Sequence, residues 1–279
     1  MKTVDGCIVK SGMVYRSAAF NSVSRKGHAK AWTIPAWSRE FLTRRLGIKT
    51  DLDLRNDAET GGISGSGLGP NVRWIHISGL YPGSVGGSGS PTGTMQKELA
   101  VLLDPANYPL DFHCKGGRDR TGALGFVALG LLGVPERDLY LDYVWTWDMP
   151  DPAGHIGDWD AMIAGLAKLE GNTICEKLET LVRQCGFTDA DIAAYREAML
   201  EPLADPPVHF HDTALTEHVA PTCSAEGRDV YSCTNAGCTV PPYAVTNTLP
   251  VVEHVWGDWT VVTEPTLGQA GLRRRTCSV

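Results

Sequence analysis

His113-Cys114-Lys115-Gly116-Gly117-Arg118-Asp119-Arg120-Thr121-Gly122 is the stretch on which the reading of this chain turns. Ahead of it, Leu110-Asp111-Phe112-His113 alternates apolar and polar residues as a strand does. Behind it, Thr121 to Leu132 is small and apolar, the composition of a buried helix. The residues from Lys115 to Arg120 are left to wrap between the two. Gly116 and Gly117 allow such a turn to point its N–H groups inward, which makes an anion nest at a helix N-terminus.

That arrangement suits phosphate monoester chemistry, which needs a nucleophile for the phosphoryl group and positive groups for its oxygens. Cys114 is the nucleophile candidate. A thiol attacks only as thiolate, and an ordinary one titrates near ~8.5, so the nest has to lower its pKa. Arg120 can curl back and hold two phosphate oxygens bidentately. Thr121 can donate its hydroxyl to the sulfur, and His113 can orient the loop through hydrogen bonds. Lys115, Gly116, Gly117, Arg118 and Gly122 complete the expected substrate-binding set, with Asp53 and Arg55 from an upstream strand. Asp53 and Arg55 serve equally well as a structural pair. The bland alternative for the whole stretch is a buried cysteine beside a glycine turn. A Cys and an Arg six apart are a weak signal, but the full string is specific. A Walker-type phosphate loop is excluded, because no Gly-Lys-Ser/Thr follows the glycines.

Outward from the loop, Thr50–Leu54 and Val72–Ile77 read as short strands. Met95–Leu103 reads as a helix capped by Thr94. Helices are expected at about 136–146, 158–170 and 173–185, and a last one runs from a Thr188/Asp191 capping pattern to Leu200. The order predicts an α/β domain, a small central sheet flanked by helices. Gly79 to Pro91 is rich in Gly and Ser and reads as a surface loop or a lid over the site. It holds no Asp or Glu, so the acid that protonates the leaving oxygen is expected at Asp119 inside the loop. Asp53 and Asp57 are the alternatives.

The chain has 279 residues, is 43% hydrophobic and carries a net charge of −7. That balance argues against nucleic acid as a partner and leaves anion binding to a local basic cluster. No apolar run approaches the ~20 residues of a membrane span, and Met1-Lys2-Thr3-Val4-Asp5 lacks the apolar core of a secretory signal. Composition shifts at Glu201-Pro202-Leu203-Ala204-Asp205-Pro206-Pro207, which reads as a linker between a catalytic domain, 1–205, and a β-rich module, 206–279. Within that module Pro221, Gly227 and Cys233 recur 44 residues later as Pro265, Gly271 and Cys277. Cys223, Cys233, Cys238 and Cys277 suggest disulfides or free thiols rather than zinc, because Leu267 stands where the second copy would repeat Cys223. No metal or other cofactor is expected.

The loop resembles the signature loop of the protein tyrosine phosphatase superfamily, and most of all its bacterial branch of tyrosine and lipid phosphatases with Lys-Asp-Arg-Thr-Gly at this place. Val14-Tyr15-Arg16-Ser17, Leu46 to Glu59, Gly133-Val134-Pro135 with Asp142-Tyr143, and Gly186 to Ile192 fit that branch too. Arg118 departs from it, standing where the branch carries Lys. The resemblance implies two-step hydrolysis through a phosphocysteine, without metal. It implies a phosphorylated protein or a phosphoinositide as substrate; an inositol polyphosphate, or phosphate binding without turnover, are the other readings. His254 to Val262, with Pro265-Thr266 and Arg275 to Ser278, resembles repeats of surface proteins from gut Gram-positive bacteria. That implies a secreted or cell-surface protein whose tail contacts the surface or a glycan; without it the expectation is cytoplasmic. Trp256 and Trp259 form either a glycan platform or, more commonly, a small core.

Overall fold

The computed structural model describes residues 1–22, 31–86, 92–145, 152–201, 211–235, 238 and 244–279. It divides into two compact units, Met1–Val208 and His209–Val279. The expected linker lies, from Pro202 to Pro207, outside the described residues, as do residues 87–91 of the Gly/Ser loop.

The first unit is built on a four-stranded sheet of β1 (Val14–Ala18), β2 (Thr50–Asp53), β3 (Arg73–His76) and β4 (Leu110–Cys114), in the order β1-β4-β2-β3. All three pairings are parallel. The central strands β2 and β4 are buried along their whole length, as parallel strands covered on both faces must be. Their alternation sorts the two faces. Leu52, Leu110, Phe112 and Cys114 join the large apolar core. Asp51, Asp53, Asp111 and His113 point the other way and are equally buried. Phe20, Ile48, Leu68 and Val72 form a second, smaller core.

Among the described residues the longer helices are α1 (Thr92–Leu102), which precedes β4, and after it α2 (Asp119–Leu131), α3 (Glu136–Trp145), α4 (Pro152–Leu166), α5 (Ile174–Gln184) and α6 (Asp189–Met199). The expected α/β architecture is the one found. Thr188 caps α6 through the Asp191 box, as read from the sequence. Three boundaries move. Helix α1 begins at Thr92, so Thr94 lies inside it and is not its cap. Helix α4 starts six residues before the expected 158. Helix α2 begins at Asp119, which shortens the turn after Cys114 to Lys115–Arg118 and puts Asp119 and Arg120 in the first helical turn.

Among the described residues the second unit is all β. Strands β5 (Thr213–Val219), β6 (Gly227–Cys233) and β7 (Ala244–Leu249) make an antiparallel sheet in the order β7-β6-β5. A two-stranded sheet, β8 (Thr260–Thr263) with β9 (Leu272–Arg274), follows.

Candidate active site

Cys114 is the last residue of β4, at the C-terminal edge of the parallel sheet, where open α/β sheets hold ligands. Pairing of Ala18 with Cys114 brings β1 alongside it. Gly117 has φ +70°, and a Cβ there would stand 2.6 Å from the Ser17 carbonyl oxygen. The loop therefore passes against β1 at a distance only glycine tolerates. Gly116 is different, since a Cβ would meet nothing closer than 3.7 Å, on the Arg118 side chain.

The thiol is buried, and burial by itself raises its pKa. The Thr121 hydroxyl, the Thr121 and Arg118 backbone N–H groups and the Arg120 charge outweigh that effect, so the Cys114 pKa is lowered. The start of α2 thus supplies the donors that favour thiolate.

Arg120 is fixed from below. Its Nη1 donates to Glu59 Oε2 at 2.6 Å and to the Leu54 carbonyl at 3.1 Å, and its Nη2 donates to Glu59 Oε1 at 2.9 Å. Burial pushes the Glu59 carboxyl up, but the bonds from Arg120 prevail and hold it below the usual range. Glu59 is itself placed by a capping box with Asn56 at the start of the one-turn helix Asp57–Thr60. The Arg120 Nε–H is buried and has no partner among the described residues. The edge formed by Nε and Nη2 is the one a bidentate oxyanion ligand would take. Tyr81, 52% exposed at the start of the Gly/Ser loop, places its ring 5.1 Å from the Arg120 guanidinium carbon.

His113 lies behind the loop. Its Nε2 meets Asp51 at 2.9 Å, and its Nδ1 is 3.1 Å from the Cys114 carbonyl oxygen. Burial lowers its pKa, but Asp51 first, then Asp53 and Asp111, raise it overall. Burial pushes Asp111 up to about 7, against the opposing effects of His113 and the Ser17 hydroxyl.

Two expected groups do other work. Asp53 and Arg55 face each other. Arg55 spends Nε and Nη2 on Asp53, at 2.9 and 2.6 Å, and gives Nη1 and Nη2 to Asn21, at 2.7 and 3.0 Å. Fully enclosed and mutually satisfied, the pair braces the end of β2, the structural one of the two roles open to it. Gly122 is a packing position, where a Cβ would come within 2.7 Å of the Tyr143 ring. Lys115 and Gly116 are exposed, and Arg118 and Asp119 are half-exposed at the helix start.

Glu59, Tyr81 and Asp158 escape the sequence reading. Asp158, on α4, lies close enough to Tyr143 that, after burial as the largest cause, it raises the Tyr143 pKa together with Asp119. A second carboxylate thus shares the Tyr143 environment with Asp119. The capping pattern Asn56-x-x-Glu59 was legible, but nothing local ties Glu59 to Arg120.

Comparison with known proteins agrees with this geometry. Residues 80–154 match the model of the tyrosine phosphatase family, a span that holds the strand, the loop and the helix after it. Loop and match together define a cysteine-dependent, tyrosine-phosphatase-like site.

Among individual proteins, the chain is similar to the inositol diphosphatase SIW14 of Saccharomyces cerevisiae, with 34% identity over 61 residues. That similarity spans 19% of this chain and only 22% of the yeast protein. The core catalytic domain of PP-IP phosphatase SIW14 from S. cerevisiae, solved with citrate, overlaps 55% of this chain and 86% of its own at 21% identity and a TM-score of 0.33. TpbA of P. aeruginosa overlaps 68% of this chain and 87% of its own at 20% identity and a TM-score of 0.31.

Proposed function

We propose that the first unit hydrolyses phosphate monoesters through a phosphocysteine on Cys114. The observation that carries the reading is the Arg120 edge. Glu59 anchors the guanidinium from one side and leaves the buried Nε–H beside Nη2 for a phosphate. The Cys114 thiolate, favoured by Thr121 and the helix start, attacks phosphorus, and the ester P–O bond breaks as the P–S bond forms. Asp119 gives the leaving oxygen its proton and then takes one from the water that cleaves the P–S bond. His113 orients the loop through its bond to the Cys114 carbonyl and its Asp51 partner.

Phosphotyrosine is the first substrate class, with phosphoinositides beside it. Inositol polyphosphates form a second reading, supported by the similarity to a protein named an inositol diphosphatase. Lys115 and Arg118, outside the Arg120–Glu59 pair, give the loop the extra cations that a multiply phosphorylated ring would use. Initial rates on a phosphotyrosine peptide, a phosphoinositide, an inositol diphosphate and inositol hexakisphosphate test the choice. A kcat/KM for the inositol phosphates at least tenfold above that for the peptide selects the second reading; the reverse selects the first. A surface location for the tail remains part of the proposal and is supported by its repeat resemblance alone.

A further inference from the structure

The second unit contains two constructions of the same kind. Cys233 pairs with Thr213 across the β5–β6 ladder, and His211 stands two residues before Thr213. Cys277 pairs with Trp256, and His254 stands two residues before Trp256. In the first, the N–H after the cysteine, on Thr234, donates to the Asp212 carbonyl at 2.8 Å; in the second, Ser278 donates to Val255 at 3.0 Å. The next N–H turns onto the cysteine sulfur in both, from Asn235 to Cys233 at 3.4 Å and from Val279 to Cys277 at 3.5 Å. The backbone around them repeats as well. A Cβ on Gly227 would strike the Val219 carbonyl and Pro221, and one on Gly271 would strike the Thr263 carbonyl and Pro265.

Each construction gathers a second sulfur, and with it a third ligand. His211, Cys233 and Cys238 bring one ligand atom apiece within 4.8 Å of one another, and so do Cys223, His254 and Cys277. Cys223 lies in the first copy of the repeat, so one site borrows from the other's chain segment. This resolves the difficulty posed by Leu267: the second set does not need a cysteine there. Tetrahedral zinc, with Zn–S about 2.3 Å and Zn–N about 2.0 Å, sets its sulfur and nitrogen ligands roughly 3.5 Å apart. The Cys238 Sγ to His211 Nδ1 separation is 3.5 Å. An N–H directed at a cysteine sulfur is the partner that a metal thiolate takes.

We propose that the second unit binds two zinc ions, one at His211, Cys233 and Cys238 and one at Cys223, His254 and Cys277. Among the described residues each site supplies three ligands, which leaves a fourth tetrahedral position for water or a carboxylate. A disulfide is the competing use of either cysteine pair. It has no need of a histidine, yet a histidine is placed by the same ladder register at both sites.

The test uses the full chain, purified without chelator, with zinc measured by mass spectrometry and cobalt(II) substituted for optical spectra. The expected result is about two equivalents of zinc and thiolate-to-cobalt charge-transfer absorption. His211→Ala and His254→Ala should each remove about one equivalent and leave the other site's cobalt spectrum in place. That retained spectrum separates loss of a ligand from loss of the fold. A chain without metal whose tail cysteines are joined in disulfides, or zinc unaffected by either substitution, overturns the proposal. One equivalent lost only with His211→Ala keeps the first site and overturns the second.

Discussion

Glu59 grips Arg120 through two parallel hydrogen bonds, of 2.6 and 2.9 Å, across 61 residues of sequence. The pair sets which edge of the guanidinium remains for a ligand. Glu59→Gln keeps an acceptor but removes the charge and one of the two bonds. A hydrogen bond to a charged group is worth about 1.5–3 kcal/mol, so kcat/KM should fall roughly 10- to 100-fold. Steady-state kinetics on an aryl phosphate read the change. An unchanged kcat/KM would mean that Arg120 needs no anchor.

The two loop glycines should behave unequally. Gly117→Ala forces a side chain into a positive φ and against the Ser17 carbonyl. Strain of this kind costs about 1–3 kcal/mol, and the loop should lose activity with it. Gly116→Ala, with no contact closer than 3.7 Å, should remain within about 0.5–1 kcal/mol of wild type. Urea denaturation of both variants compares them directly.

Thiolate formation at Cys114 should be visible as pH-dependent alkylation. The Cys114 pKa is lowered, so iodoacetate inactivation should have its midpoint below the ~8.5 of an ordinary thiol. Thr121→Val removes the hydroxyl that favours the thiolate, and the midpoint should rise. Thr121→Ser should restore it. A midpoint identical in all three proteins would show that the hydroxyl does not act on the sulfur.

Buried acids behind the loop predict a stability slope. Asp111 is raised to about 7 and His113 is raised as well, so the folded state holds protons that the unfolded state releases. Their contribution is present at low pH. The Asp111 part is lost as pH climbs from about 4 to 7, and the His113 part above about 6.5, at no more than about 1.4 kcal/mol per pH unit for each proton. Asp111→Asn removes one titration and still accepts from Ser17, so melting temperatures between pH 5 and 8 should vary less than in wild type.

Proton donation separates Asp119 from Asp158. Asp119→Asn should slow a phenyl phosphate by about 10²–10⁴-fold and an ester with a much better leaving group far less. Asp158→Asn should leave that leaving-group dependence as in wild type. The opposite pattern transfers the acid role to α4.

Much of the site could be read from the chain because its chemistry is local. Cys114, Gly117, Arg120 and Thr121 lie within eight residues, and a strand and a helix frame them. What was hidden depends on distance in sequence. Nothing close to Glu59 in sequence ties it to the loop, and only the parallel sheet brings its capping box under Arg120. Asp53 and Arg55, at and just past the end of β2, alternate onto the enclosed face, where each consumes the other. The start of α2 was placed late because Asp119 and Arg120 look like loop residues until they act as the first turn. In the tail, His211 is 22 residues from Cys233, a spacing that says nothing until the strand register supplies it.

The central claim is a covalent phosphocysteine at Cys114, and a rapid quench in alkaline detergent of the full chain mixed with a ³²P-labelled aryl phosphate tests it most directly. Wild type should carry label on the peptide containing Cys114 that persists in alkali and is lost in mild acid, as an S–P bond is, and Cys114→Ser should lose turnover by several orders of magnitude. Equal turnover by wild type and Cys114→Ser would contradict the account.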